Sequence, residues 1–162
     1  MEMMELRDFH ISDAKTVAKL CNDNDLAKWT ASIPHPYREQ DAIDWISGID
    51  TSGRTPFAVT QDHNLIGCVS MWDYAEGAVE IGYWVGKEYW GRGFGRAAVT
   101  LLLEKIREMS YRKVVAQVVT GNVASETLLV RCGFAQTIPL KLARFGVEQS
   151  GYLYELQITE AE

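Results

Sequence analysis

Residues 89–96 read Tyr-Trp-Gly-Arg-Gly-Phe-Gly-Arg, and their reading decides the fold. They follow a β-like run (79–85) and precede a helix-like run (94–109), giving a strand, a glycine loop and a helix in succession. Such a loop presents backbone N–H groups at a helix N-terminus, where the helix dipole favours an anion. Glycine is expected there because a side chain would obstruct the close approach of a phosphate. The loop therefore points to a phosphate-bearing ligand held by backbone groups, although a tight turn that binds nothing would have the same sequence. A nucleoside-triphosphate loop needs Lys and Ser or Thr after its second glycine, whereas Gly95 is followed by Arg96 and Ala97. Residues 93–98 do satisfy the dinucleotide pattern G-x-G-x-x-G/A, but that pattern also wants an acid at the end of the next strand. The next strand ends Val118-Val119-Thr120, with no acid.

A second cluster lies downstream. Asn122-Val123-Ala124-Ser125 follows the next strand, and Arg131-Cys132-Gly133-Phe134 closes the short helix after it. Together the clusters resemble the GCN5-related N-acetyltransferase superfamily, whose loop reads Q/R-x-x-G-x-G/A and whose later element reads N-x-x-S/A…G-F. Trp90 after Tyr89, and Ile81-Gly82-Tyr83-Trp84-Val85 before the loop, resemble the branch that contains the ribosomal-protein N-terminal acetyltransferases. The resemblance is strongest over 80–134 and weak before Phe57.

Composition sets bounds. A chain of 162 residues is expected to form one domain with an adequate core. Its 47% hydrophobic and 23% charged content is that of a soluble globular protein. No apolar run approaches the roughly 20 residues of a membrane span. The N-terminus lacks the basic-then-apolar order of a signal peptide, so the expected compartment is the cytoplasm. Cys21, Cys68 and Cys132 fit neither a disulfide framework nor a metal site and are expected to be buried thiols. His10, His35 and His63 lack ligand spacing, so no metal is expected. The net charge of −6 argues against nucleic acid as a partner and mildly favours a cationic acceptor. It is equally compatible with solubility alone.

Along the chain, 4–9 alternates as a first strand, and Ser12 or Asp13 is placed to cap a helix carrying Ala14, Val17, Ala18 and Cys21. Residues 22–37 read as a loop or broken helix. Ala42, Trp45, Ile46 and Ile49 mark a second helix. Residues 57–60 and 65–72 read as antiparallel strands around a turn at 61–64. The helix from Phe94 is expected to bury Ala97, Ala98, Leu101, Leu102 and Ile106. A strand over 112–119 should pair in parallel with 79–85 through a right-handed crossover. Residues 134–142 and 152–158 complete the sheet. The expected class is α+β: a mixed, mostly antiparallel sheet with helices on both faces and one parallel pair, as in the superfamily.

The resemblance implies transfer of an acetyl group from acetyl-CoA to an amine. It assigns Trp90, Gly91, Arg92, Gly93, Phe94, Gly95 and Arg96 to the CoA pyrophosphate, with Trp84 and Val85 offering backbone groups to the pantetheine arm. The physical requirement is a sheet that splays and leaves backbone groups for the ligand to satisfy; an N–H near Val85 would then polarise the thioester carbonyl. Asn122 would cap the short helix and contact the cofactor. Many members place a tyrosine three to four residues after the Ser125 position to protonate the departing thiolate. Here Leu128-Leu129 stand there, and Ser125 is the implied replacement. Glu80 is the expected general base, sharing a strand face with Gly82 and Trp84 opposite Ile81, Tyr83 and Val85. Trp29, Tyr37 and Trp72 are expected to line the acceptor pocket, with Tyr154 a more distant choice. The acceptor is left open between a protein N-terminus and a small amine (polyamine, amino acid or antibiotic). A non-catalytic CoA sensor also remains open. The last two strands could present an edge for a homodimer.

Overall fold

The computed structural model describes residues 3–30, 33–144 and 146–158. Seven strands form one sheet: β1 (Met4–Arg7), β2 (Thr55–Gln61), β3 (Asn64–Ala75), β4 (Ala78–Val85), β5 (Lys113–Val119), β6 (Ala135–Arg144) and β7 (Val147–Gln157). Their spatial order is β1-β2-β3-β4-β5-β7-β6. Each neighbouring pair is antiparallel except β4 and β5. The α+β expectation is therefore met, including the single parallel pair.

The alternation of side chains along each strand sends alternate residues to opposite helical layers. On one face, Val79 and Ile81 of β4 and Val114, Ala116 and Val118 of β5 pack under α4 (Phe94–Arg107) and Leu129 of α5 (Val123–Arg131). On the other, Ala58 and Leu65 pack with α1 (Ala14–Cys21), Leu26 of α2 (Asn24–Lys28) and Ala42 of α3 (Glu39–Ser47). Ala58 and Val59, adjacent on β2, belong to the two different cores.

Several local expectations need correction. The core-facing stripe of α4 is Ala98, Val99, Leu102, Leu103 and Ile106, while Ala97 is exposed and Leu101 only half-buried. The helix lies rotated toward Val99 and Leu103, the residues one position beyond each apolar pair used for the expectation. Asp13 does not cap α1. Its carboxylate accepts two bonds from the Arg7 guanidinium, each 2.9 Å, and one from the His10 N–H at 2.8 Å. The Arg7 partnership holds the Asp13 carboxyl below the usual carboxylate range. The segment over 22–37, read as a loop or broken helix, does contain a short helix, α2, whose first turn is capped by Asp23, accepting from the N–H groups of Asp25 and Leu26. The first strand stops at Arg7, and α3 stops at Ser47 before a 3-10 turn over Ile49–Thr51.

Candidate active site

The site begins where β4 and β5 part. They pair only at Ala78 with Lys113, Val79 with Val114 and Glu80 with Val115. Beyond Glu80, β4 continues against β3 as far as Val85 and β5 continues against β7 as far as Val119, but not against each other. The gap opens into a cavity of about 760 Å³. Residues 80–84 of β4 and 116–119 of β5 form its two long walls, and Asn122, Ser125 and Leu129 close one side. This volume lies within the range of small-molecule sites.

Because alternate residues of β4 face opposite layers, the gap has two chemically different sides. Glu80, Trp72 and Gln117 lie on the α1–α3 side. Glu80 stands directly opposite Trp72 in the β3–β4 register, and Gln117 Nε2 reaches Glu80 Oε1 at 3.5 Å. Burial pushes the Glu80 carboxyl above the usual carboxylate range; the Trp72 indole N–H and the Arg54 guanidinium pull it partway back. The guanidinium lies 4.1 Å from the centre of the Trp72 ring, which is cation–π geometry. Gly82 permits this stack, since a Cβ there would sit 3.0 Å from Trp72 Cη2. Trp72 lines the cavity, and its indole favours the ionised form of the candidate base.

The α4–α5 side holds Ser125. Asn122 is the N-cap of α5 and accepts from the Ser125 N–H at 3.4 Å, so it sets the helical turn that carries the serine. Tyr83 approaches from β4, and its buried hydroxyl has no hydrogen-bond partner among the described residues. Burial pushes that hydroxyl up to about 12, and Ser125 draws it down. Leu128 packs against the backbone of Gly95.

The glycine loop stands beyond the end of β4. Gly91 and Gly93 have φ of +77° and +79°, the left-handed region that favours glycine, and a Cβ at either would meet nothing within 4 Å. Gly93 is the N-cap of α4 and has no side chain to satisfy the first-turn N–H groups. An open cradle of backbone at an uncapped helix start fits a diphosphate. Arg92 and Arg96 are exposed beside it. Gly95 also has a packing role, since a Cβ there would meet Leu128 Cδ1 at 3.0 Å. It lets α4 and α5 approach. The Trp90 indole donates to the Val85 carbonyl at 2.7 Å, tying the loop to the end of β4. That carbonyl is thus engaged within the protein.

The remaining expected residues are distributed as follows. Trp29 and Tyr37 line the cavity, with Lys28 Nζ 4.7 Å from the centre of the Trp29 ring. Tyr37 is also a buried member of the α1–α3 core. Trp84 lines the cavity and packs on that core. Tyr154 is buried, and its hydroxyl donates to Gln136 Oε1 at 3.0 Å, so it belongs to the core rather than the cavity. Arg54, Gln117 and Tyr83 were not anticipated. Only Tyr83 left a trace in the sequence, as the residue alternating with Gly82 and Trp84. Among the described residues, the cavity wall carries one acid, Glu80, against Arg54 and Lys141. The chain's negative charge is therefore not concentrated where an acceptor would sit. No described helix is long and apolar enough to cross a membrane.

Comparison with known proteins agrees with this fold. A Bacillus subtilis protein provisionally named as ribosomal N-acetyltransferase YdaF is 28% identical over 165 residues, covering 96% of this chain and 88% of its own. The solved structure of the microcin C7 self-immunity acetyltransferase MccE, in complex with acetyl-CoA and AMP, has a TM-score of 0.85 at 22% identity and covers 96% of this chain and 92% of its own. That of RimL, a ribosomal L7/L12 alpha-N-protein acetyltransferase in complex with coenzyme A, also has a TM-score of 0.85, at 19% identity, covering 96% and 94%. These two likenesses show the fold. The acetyltransferase (GNAT) domain family matches residues 4–135, most of the chain and all of the splayed gap, its glycine loop and the serine turn. With a family match of that extent laid over a cradle that suits a diphosphate, the chain belongs to the GNAT acetyltransferases and is an enzyme that takes its acetyl group from acetyl-CoA.

Proposed function

We propose that the enzyme acetylates the α-amino group of a polypeptide, a ribosomal protein by analogy with the name of its Bacillus subtilis relative. The observation that carries the proposal is the two-sided gap, with a carboxylate of raised pKa on one side and a serine hydroxyl on the other.

When bound, the donor supplies an acyl carbon activated as a thioester. Backbone N–H groups of residues 91–96 hold its diphosphate, helped by Arg92 and Arg96. The edge of β4 that parts from β5, at Trp84 and Val85, aligns the arm, with the Val85 carbonyl already taken by the Trp90 indole. The acceptor amine enters from the Glu80 side. An α-amine with a pKa near ~8 is partly neutral at physiological pH, and a lysine amine near ~10.4 is scarcely so. Glu80, directly or through a water, accepts the proton that the amine loses as its nitrogen bonds to the acyl carbon. The C–S pair leaves on sulfur at the Ser125 side, and the Ser125 hydroxyl donates a hydrogen bond to it. A thiolate whose thiol has a pKa of about 8.5 needs no stronger acid, and it takes its proton from solvent.

Arg54 and Lys141 in the cavity wall disfavour a polycation such as a polyamine. They support a second reading, a small amine that also carries an anionic group. A panel of free-N-terminus peptides, their N-blocked forms, polyamines and amino-acid derivatives decides the matter by intact mass. Acetylation of the free peptides alone is the expected result. Acetylation of small amines with every peptide untouched would overturn it.

A further inference from the structure

The buried hydroxyl of Tyr83 needs an explanation. A buried polar group without a partner is destabilising, and such groups in folded proteins call for an explanation such as a functional role or a partner still to bind. Tyr83 lies on β4 two residues before Val85 and one before Trp84, and both Tyr83 and Ser125 line the cavity. Tyr83 and Ser125 face the same cavity, and the serine acts on the ionisation of the phenol, yet the hydroxyl has no partner at hydrogen-bonding geometry among the described residues. Leu128 and Leu129 leave α5 without a phenol of its own, and the Tyr83 phenol faces the cavity shared with Ser125 from the opposite wall of the gap.

We propose that Tyr83 is the positioning residue for Ser125: its O–H donates to Ser125 Oγ, which turns the serine proton toward the departing sulfur. The two hydroxyls form a chain in which the phenol polarises the serine and the serine bonds the thiolate. Neither gives up its proton. The C–S electron pair goes to sulfur, the amine proton goes to Glu80, and the thiolate is later protonated by solvent. Burial keeps the phenol protonated across the working pH range, so it stays a donor. The inference rests on the acetyl-transfer reading for its catalytic meaning, but not for its test.

The test is the pKa of the coenzyme A thiol bound to the enzyme, read by thiolate absorbance in a pH titration. Wild type should hold it below that of free coenzyme A. Tyr83→Phe should raise it by about one unit, the size expected for weakening one charge-assisted bond. Ser125→Ala should raise it at least as far, and the double variant no further. In turnover, Tyr83→Phe should lower kcat roughly tenfold with KM for acetyl-CoA unchanged. Its melting temperature should stay level or rise, because an unsatisfied buried hydroxyl is removed. A wild-type thiol pKa equal to that of free coenzyme A would overturn the proposal. So would an unshifted pKa in Tyr83→Phe, full additivity with Ser125→Ala, or a melting temperature several degrees lower. A lowered thiol pKa that responds as expected, in an enzyme that acetylates no peptide, would sink the proposed acceptor and leave the Tyr83–Ser125 pair standing.

Discussion

Trp72→Phe separates the two things Trp72 does. Phenylalanine keeps an aromatic face for the Arg54 guanidinium while giving up the far edge of the indole that lies over Gly82, and it deletes the indole N–H that favours ionised Glu80. A hydrogen bond to a charged group contributes about 1.5–3 kcal/mol. Glu80 is only half-buried, so solvent screening reduces this to about 1–1.5 kcal/mol. One pKa unit corresponds to about 1.4 kcal/mol, so the Glu80 pKa should rise by about one unit. The base works ionised, and it is inactive below its pKa. The acidic limb of kcat/KM should therefore move to higher pH by about one unit, with the plateau above it nearly unchanged. Rates with acetyl-CoA and a free-N-terminus peptide from pH 5 to 9 would show it. A limb that stays in place while KM for the peptide rises would refute the reasoning and return Trp72 to the acceptor wall.

Further outcomes follow from the same geometry. Glu80→Gln should abolish the acidic limb. It should also stabilise the fold at alkaline pH. The folded-state pKa of Glu80 is raised, so its contribution to stability is present below the unfolded pKa and lost as pH rises through the folded one; thermal melts at pH 4 and pH 8 would check this. Asn122→Ala removes the cap that sets the Ser125 turn and should lower stability by about 1 kcal/mol while reducing kcat, read by denaturant melts and turnover. Gly93→Ala and Gly146→Ala impose similar strain, at φ of +79° and +78° with open space around both. Each should destabilise by about 1–2 kcal/mol, but only Gly93→Ala should weaken acetyl-CoA binding in calorimetry. Cys21 should resist alkylation at pH 8, because burial pushes its thiol up to about 12.

Much of this arrangement was legible in the sequence because it rests on local patterns. The glycine loop, the alternation of β4 and the Asn122 turn each sit within a few residues, and their geometry follows from backbone sterics and capping. The division of β4 into a Glu80–Gly82–Trp84 face and an Ile81–Tyr83 face needed only the two-residue period of a strand. What was not legible depends on register between distant segments. Nothing in the sequence places Trp72 opposite Glu80 or lays Arg54 on its ring, because that follows from how β2, β3 and β4 align. Tyr83 was assigned to a strand face, but its unpartnered hydroxyl emerges only once α5 is docked beside it. The buried stripe of α4 was misplaced because Ala97 and Leu101 satisfy the helical period as well as Val99 and Leu103 do. Only the position of the helix on the sheet chooses between them.

The central claim is that the amine is deprotonated on one side of the splayed strands and the thiol released on the other. A crystal structure with a bisubstrate analogue, coenzyme A joined through its sulfur to the N-terminus of a peptide, tests it most directly. The account predicts the diphosphate on residues 91–96, the sulfur beside Ser125 and Tyr83, and the peptide nitrogen on the Glu80 side with its chain running past Trp72. A sulfur lodged beside Glu80, or a peptide leaving along α5, would contradict it.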